Sequence, residues 1–274
     1  MGLIAGVVPR LLRTSASTSA AVAKDVRRHV NRASTGHTGA TGDATRAVIR
    51  ELRQLTPTTR GLVLEMLDST GFNFVAGQWV DMFIPGIEAV GGYSIVSAPC
   101  QLPLLELAIK ASRHPAAAWV TEEASVGSVV ALRVGGSFVL PMPRPPRNLF
   151  IAGGVGLTPL YAMIHQLASE DADHQVALIH TTGKSSELLF REELQALAMA
   201  NPDRVRVDSL TTKEGATADR RIDRPLIAEA IKWLGGAEDV VVYVCGPKGM
   251  PEAMVELCAS CGIPPRDVRY EKWW

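Results

Sequence analysis

Between residues 46 and 143 the apolar positions fall in short runs. Val63-Leu64-Glu65-Met66-Leu67, Trp79-Val80-Asp81-Met82-Phe83-Ile84, Leu104-Leu105-Glu106-Leu107-Ala108-Ile109 and Val129-Val130-Ala131-Leu132 are bounded by Gly, Pro and Asn, the residues that punctuate strands. Turn signals recur at Pro57, Gly71, Gly77, Pro85-Gly86, Gly127 and Gly135-Gly136. The stretch GGYSIVSAP puts Tyr93 and Ser94 at the head of a further short strand. Only residues 114–123 carry a helical pattern. Many short strands with Gly/Pro turns predict a small antiparallel barrel of Greek-key type.

After Arg147 the rhythm changes to strand, helix, strand, helix. Strands are expected over 148–152, 175–180, 204–209, 239–244 and 268–272, and helices over 159–168, 187–199, 225–234 and 250–261. Leu160, Met163, Ile164, Leu167 and Ala168 stand at i, i+3, i+4, i+7 and i+8, one face of a helix. Near-continuous apolar strands between amphipathic helices predict a doubly wound parallel sheet of five strands, covered on both faces. Pro141-Met142-Pro143-Arg144-Pro145-Pro146 reads as a stiff connector, because each proline fixes its φ angle. The expected organisation is therefore a leader over 1–45, a barrel over 46–143 and an α/β domain over 147–274.

The leader differs in composition. It is rich in Ala, Ser, Thr and Gly, with Arg10, Arg13, Lys24, Arg27, Arg28 and Arg32 against only Asp25 and Asp43. That balance suits a mitochondrial transit peptide. A secretory signal is the rival, since Leu3 to Val8 is apolar, and a plain tail is the third reading. No apolar run reaches membrane-spanning length, so no integral membrane segment is expected.

Across the whole chain Lys+Arg and Asp+Glu are 28 each, which gives no support to nucleic acid as a partner. Four cysteines in 274 residues are too few for a disulfide framework. Cys258-x-x-Cys261 invites a metal or redox role, but no second pair completes a zinc site. Both cysteines continue a helical face with Met250, Met254 and Leu257, which suits packing. His114, His165, His174 and His180 show no ligand spacing, and His180 at a strand end reads as structural. Residues 170–173 read as a solvated loop.

The chemistry gathers at two turns. The first α/β strand runs into Gly153-Gly154-Val155-Gly156-Leu157-Thr158-Pro159. Its glycines permit a tight turn and close approach of backbone N–H groups to a ligand. Thr158 is the expected N-cap and Pro159 the first helical residue. The helix start then offers unpaired N–H groups and partial positive charge to a diphosphate. The motif departs from G-x-G-x-x-G, since Pro159 stands at the third glycine. A second strand, residues 240–244, runs into Cys245-Gly246-Pro247-Lys248-Gly249-Met250. Both turns fall at carboxyl ends of strands, where open α/β sheets bind ligands.

Strand-GGVGLTP, strand-CGPKGM and the tail Tyr270-Glu271-Lys272-Trp273-Trp274 follow in order behind a barrel-like half. That order resembles the ferredoxin–NADP reductase superfamily over about residues 46–274. The resemblance implies a flavin-binding barrel, with FAD or FMN, and a pyridine-nucleotide domain. It implies that Gly153, Gly154, Val155, Gly156, Leu157 and Thr158 hold the nucleotide diphosphate, with Cys245 and Gly246 beside the nicotinamide. Glu271 would be the carboxylate near the reacting rings, and Trp273 or Trp274 would cover the flavin. Tyr93 would lie against the isoalloxazine and Ser94 near its N5. Phe74-Val75-Ala76-Gly77-Gln78-Trp79 resembles the family's F-x-P-G-Q-F, with Ala76 where proline is usual.

The family writes R-x-Y-S, and its arginine pairs with the flavin phosphate; this chain has Gly91 there. The second phosphate element, a Gly-Gly turn followed by serine, corresponds to His114-Pro115-Ala116-Ala117-Ala118-Trp119. Losing a charge-assisted partner costs about 1.5–3 kcal/mol. Lys110, Arg113 and His114 are the candidate substitutes. Lys184 and Arg191 are candidates for the extra phosphate of NADP or a solvated helix start, with NAD favoured. The expected function is a flavin-dependent NAD(P)H oxidoreductase serving an unknown electron acceptor, in which Ser94, Cys245 and Glu271 line the reacting rings. A nucleotide-binding module without turnover is the alternative.

Overall fold

The structure is a computed structural model, and it describes residues 43–170, 173–214 and 221–272. The leader reading, apart from residues 43–45, and the roles of Trp273 and Trp274 fall outside the described residues. Six antiparallel strands form the first half, β1 (Thr45–Thr56), β2 (Thr59–Met66), β3 (Trp79–Ile84), β4 (Ile87–Ser94), β5 (Leu104–Lys110) and β6 (Val129–Gly135). Their order is β4-β3-β6-β1-β2-β5, and an Ile95–Leu107 bridge joins the two edges into a barrel. Inward residues Ile49, Leu62, Leu64, Val80, Met82, Ile84, Leu105 and Leu107 are fully buried, each worth roughly 1.5–3 kcal/mol.

Two of these strands were not expected at these bounds. β1 is masked in sequence by Arg46, Arg50, Glu51 and Arg53, which face outward and pair with neighbours such as Glu65. In β4, Gly91 and Gly92 break the propensity pattern, and Tyr93 and Ser94 close this strand rather than open one. Helix α1 (Pro115–Glu122) packs against β4. Arg60 donates to the carbonyls of Val120 and Thr121 at its end, 2.9 and 3.2 Å.

Five parallel strands follow, β7 (Arg147–Gly153), β8 (Gln175–Thr182), β9 (Val205–Thr211), β10 (Val240–Gly246) and β11 (Val268–Lys272), in the order β11-β10-β7-β8-β9. The order reverses between β7 and β10, the crevice where such sheets take ligands. Helices α2 (Leu157–Ser169) and α3 (Arg191–Ala200) cover one face, and α4 (Arg224–Trp233) and α5 (Met250–Ser260) the other. The helix expected over 187–199 is interrupted. A 3-10 turn, Ser185–Glu187, precedes it, and Phe190 adopts φ 50 to lay its ring 4.2 Å from that of Tyr161. Cys258 is buried among α4 and α5 residues. No helix among the described residues is long and apolar enough to cross a membrane.

The run of residues 138–146 is more than a spacer. Phe138 and Leu140 are buried in the same cluster as Phe150, Leu157 and Tyr243, joined by Leu55 and Ala76 from the barrel. Phe138 meets Tyr243 edge-on at 6.2 Å, and Tyr243 stacks on Phe150 at 5.0 Å. Thr56 and Thr58 of the barrel donate their hydroxyls to Glu187 at 3.0 and 2.6 Å. Glu170, expected in a solvated loop, accepts from Arg144 at 3.1 Å and faces His174 at 3.3 Å. The two halves therefore share apolar and polar contacts, which fixes the cleft between them.

Candidate functional site

β7 is apolar from Leu149 to Ala152 and fully buried there, so it delivers Gly153 to the carboxyl edge of the sheet in a fixed place. The turn that follows lies directly on the β10 turn. A Cβ on Gly156 would stand 2.4 Å from the Cys245 carbonyl oxygen. One on Gly153 would stand 2.6 Å from Pro247 Cδ and from Met250 Sδ, and one on Gly246 would stand 2.4 Å from Met250 Sδ and 3.2 Å from Gly153 Cα. These three glycines serve the packing of turn on turn. That corrects the expectation that they leave room for a ligand. Gly154 alone fits that expectation, with φ +56 and open space where a side chain would project.

A second correction concerns the cap. A 3-10 turn, Gly154–Gly156, runs straight into α2, so the helix begins at Leu157 with Gly156 as N-cap. Thr158 is the second helical residue and Pro159 the third. The Thr158 hydroxyl donates to the Val155 carbonyl at 2.9 Å, and the Leu157 N–H donates to the carbonyls of Gly154 and Val155. Leu157 is fully buried and Val155 half-buried. The positive end of α2 follows directly on the Gly154–Gly156 turn, an arrangement suited to a diphosphate.

Cys245 lies in register with Glu271 of β11 and with Ala152 of β7. Only 1% of it is exposed. Burial first, and the Glu271 charge second, push its thiol well above the ordinary range, so the sulfur stays protonated. It is a neutral, polarisable contact and no nucleophile. Glu271 is half-buried at the same edge. The structure thus brings together residues 153–158, Cys245, Gly246 and Glu271 at the ends of β7, β10 and β11.

Across the cleft, barrel strand β5 approaches the 3-10 turn, and β4 ends at Ser94. Ser94 is 8% exposed. The Tyr93 ring lies across Gly91, where a Cβ would stand 2.4 Å from Cε2 and 2.5 Å from the hydroxyl. That hydroxyl is buried without a hydrogen-bond partner among the described residues, and burial raises its pKa. The position that an arginine takes in the resembling family is filled here by the tyrosine.

Two contacts escaped the sequence. His180, 1% exposed on β8, places Nε2 3.2 Å from the Gly154 carbonyl. Glu214, beyond β9, accepts from both the backbone N–H and the hydroxyl of Ser185, at 2.7 and 2.8 Å. Neither has a local signature, because the partners are 26 and 29 residues apart.

Residues 150–256 match the oxidoreductase NAD-binding domain. Oxidoreductase NAD-binding domain-containing protein 1 of Danio rerio is 35% identical over 222 residues, 74% of this chain and 82% of that protein. The toluate 1,2-dioxygenase electron transfer component of Pseudomonas putida is 28% identical over 229 residues, 83% of this chain and 67% of that protein. Among solved structures, the cytochrome P450 reductase of Amycolatopsis has the same fold, with TM-score 0.74 at 23% identity over 88% of this chain and 72% of that one. The fold is of the ferredoxin–NADP reductase type, and its second half is an oxidoreductase NAD-binding domain. Within that class the chain belongs to the family of oxidoreductase NAD-binding domain-containing protein 1.

Proposed function

We propose that the protein is a flavin-dependent NAD(P)H oxidoreductase that draws on reduced nicotinamide and serves an electron acceptor not yet known. The observation that carries this reading is the packing of the Gly153–Gly156 turn on Cys245 and Gly246, with Glu271 in register beside the thiol. Gly153 to Thr158 would hold the diphosphate, and Cys245 with Gly246 would line the nicotinamide end. Glu271 would supply the carboxylate near the rings, and Trp273 or Trp274 would cover the flavin. The electron transfer component of Pseudomonas putida and the cytochrome P450 reductase of Amycolatopsis, both similar to this chain, support electron delivery as the task.

The barrel residues fit the ring end of a flavin. The buried Tyr93 hydroxyl lacks a hydrogen-bond partner among the described residues, and such groups are rare in native proteins unless a ligand or water completes them. Tyr93 and Ser94 would meet the ring system. The amide end of α1 would lie nearest the phosphate, without a charged side chain at position 91. A bound flavin supplies the conversion between hydride and single-electron chemistry. The chain's own part is alignment and exclusion of water. Cys245 adds an uncharged wall that does not compete for the hydride, and Glu271 keeps a negative charge at the rim.

The choice of NADH over NADPH is supported by Glu214. Its carboxylate occupies both Ser185 donors at the ends of β8 and β9, the edge an adenosine reaches when its diphosphate sits on Gly154. A carboxylate there accepts ribose hydroxyls and repels a further phosphate. The basic leader supports delivery to the mitochondrion, with secretion as the alternative.

One observation favours a second reading. The Tyr93 ring over Gly91 closes the place of the family's arginine, as expected of an NAD(P)H-binding module whose barrel no longer takes flavin. The visible spectrum of the purified protein decides between them. A flavin band that bleaches with NADH, and more slowly with NADPH, supports the enzyme. A colourless protein that FAD and FMN fail to reconstitute, yet which NADH stabilises against heat, supports the module. If neither nucleotide moves the melting temperature, both readings fail.

A further inference from the structure

His180 is a buried titratable side chain that hydride chemistry does not use. It stands on β8 in register with Ala152 of β7 and Ser209 of β9, one strand away from the nucleotide turn. A carbonyl oxygen only accepts, so its 3.2 Å contact with Gly154 requires the proton on Nε2. Burial favours the uncharged ring and pulls its pKa down to about 4, against the smaller opposing effect of this same hydrogen bond. The Gly154 carbonyl thus receives two donors, the imidazole and the Leu157 N–H. Next to it, the Val155 carbonyl receives the Thr158 hydroxyl.

Carbonyl oxygens repel an anion, whereas N–H groups attract it. A glycine at φ +56 with open space around it has other conformations within reach. Some of them turn the Gly154 oxygen toward the ligand. We propose that His180 is a positioning residue for the nucleotide diphosphate: its Nε2–H anchors the Gly154 carbonyl inward, so that the turn meets the ligand with its amide side already set. The inference rests on the nucleotide reading above. It assigns the rigidity of the turn to a side chain outside the glycine motif.

Two substitutions separate this role from simple filling of the core. His180→Leu keeps an apolar volume and removes the donor, while His180→Gln keeps a donor at the same reach. Calorimetric titration would use NADH, ADP and adenosine. For His180→Leu the Kd of NADH and of ADP should rise about three- to tenfold, and that of adenosine less than about twofold. His180→Gln should stay within about twofold of the wild type. Unchanged NADH binding in His180→Leu overturns the proposal. So does an equal loss for adenosine, or a loss in His180→Gln as large as in His180→Leu. Should the variants fail to fold, the ring tautomer of the wild type by nitrogen-15 NMR still decides. An Nε2–H proton that becomes slower to exchange on adding ADP supports the anchor. An Nδ1–H tautomer, or exchange that ADP leaves unchanged, overturns it. A wild-type chain that binds neither NADH nor ADP while showing the Nε2–H tautomer defeats the nucleotide reading and leaves the anchoring bond standing.

Discussion

The two sides of the cleft are built on different principles. On the α/β side the ligand-facing surface is backbone, held by packing. Gly153, Gly156 and Gly246 are small because protein atoms occupy the space beside them, and His180 and Thr158 hold the carbonyls of the turn. On the barrel side, recognition of a phosphate depends on what stands at one position. There Gly91 carries no charge and Tyr93 has settled across it. A backbone site weakens by degrees when a side chain around it changes, because no single one supplies its donors. A side-chain site is lost with one substitution and, by the same logic, regained with one.

The largest effect should come from disturbing the packed side. In Gly156→Ala the new Cβ would stand 2.4 Å from the Cys245 oxygen and 2.8 Å from the Gly246 nitrogen. Both are backbone atoms, so the two turns must move apart. Overpacking of this kind costs about 1–3 kcal/mol of stability. NADH affinity should fall together with it by more than about tenfold, because the turn itself shifts. Urea denaturation and calorimetric titration check both. In Gly246→Ala the nearest obstacle is the flexible Met250 side chain, so its cost should be smaller. Equal and negligible effects from the two would remove the distinction between the sides.

The sequence already carried most of the packed side. Strand β11 falls where the apolar pattern puts it, and the two glycine turns fall at strand ends. It did not carry the use of the glycines, because a missing side chain looks the same whether a ligand or a protein atom fills its place. It missed β1, whose buried Ala47, Val48 and Ile49 are flanked by four charged residues that face outward. It placed Thr158 as a cap because a 3-10 turn lengthening the helix leaves no mark in the residue pattern. The His180 and Glu214 contacts arise from strand order, which local periodicity does not encode. The loss of the arginine at position 91 was legible. That Tyr93 would take its place was not.

The second effect tests the barrel side by restoring what it lacks. In Gly91→Arg the obstacle is the far end of the Tyr93 side chain, which can rotate away. A guanidinium beside a phosphate contributes about 1.5–3 kcal/mol, so FAD and FMN should bind about ten- to a hundredfold more tightly. Quenching of flavin fluorescence measures this directly. Riboflavin, which has no phosphate, should show no comparable gain. Gly91→Ala, which displaces the ring without adding charge, should show none either. If all three ligands bind alike to wild type and Gly91→Arg, the barrel is no flavin site, and the comparison holds only for its α/β half.

The smallest effect concerns proton linkage on the packed side. His180 has an ordinary pKa of 6.5 when exposed and about 4 in the fold. As pH falls below 6.5, the unfolded chain takes up a proton that the folded chain refuses until about pH 4. Stability from this group is therefore full above pH 6.5 and declines on acidification, by about 1.4 kcal/mol at pH 5.5. His165, whose pKa burial also lowers, and Glu51, Glu214 and Glu252, whose hydrogen bonds lower theirs, add to the same trend. They add equally to His180→Gln, so the difference between the two chains isolates His180. That difference should favour the wild type most at pH 8 and shrink by about 1.4 kcal/mol at pH 5.5 in paired urea titrations. A pH-independent difference would mean that the folded ring titrates as the unfolded one does and is mostly protonated at pH 5.5. With a positive charge beside the turn, the diphosphate would then meet a side-chain cation, and the contrast with the barrel side would disappear.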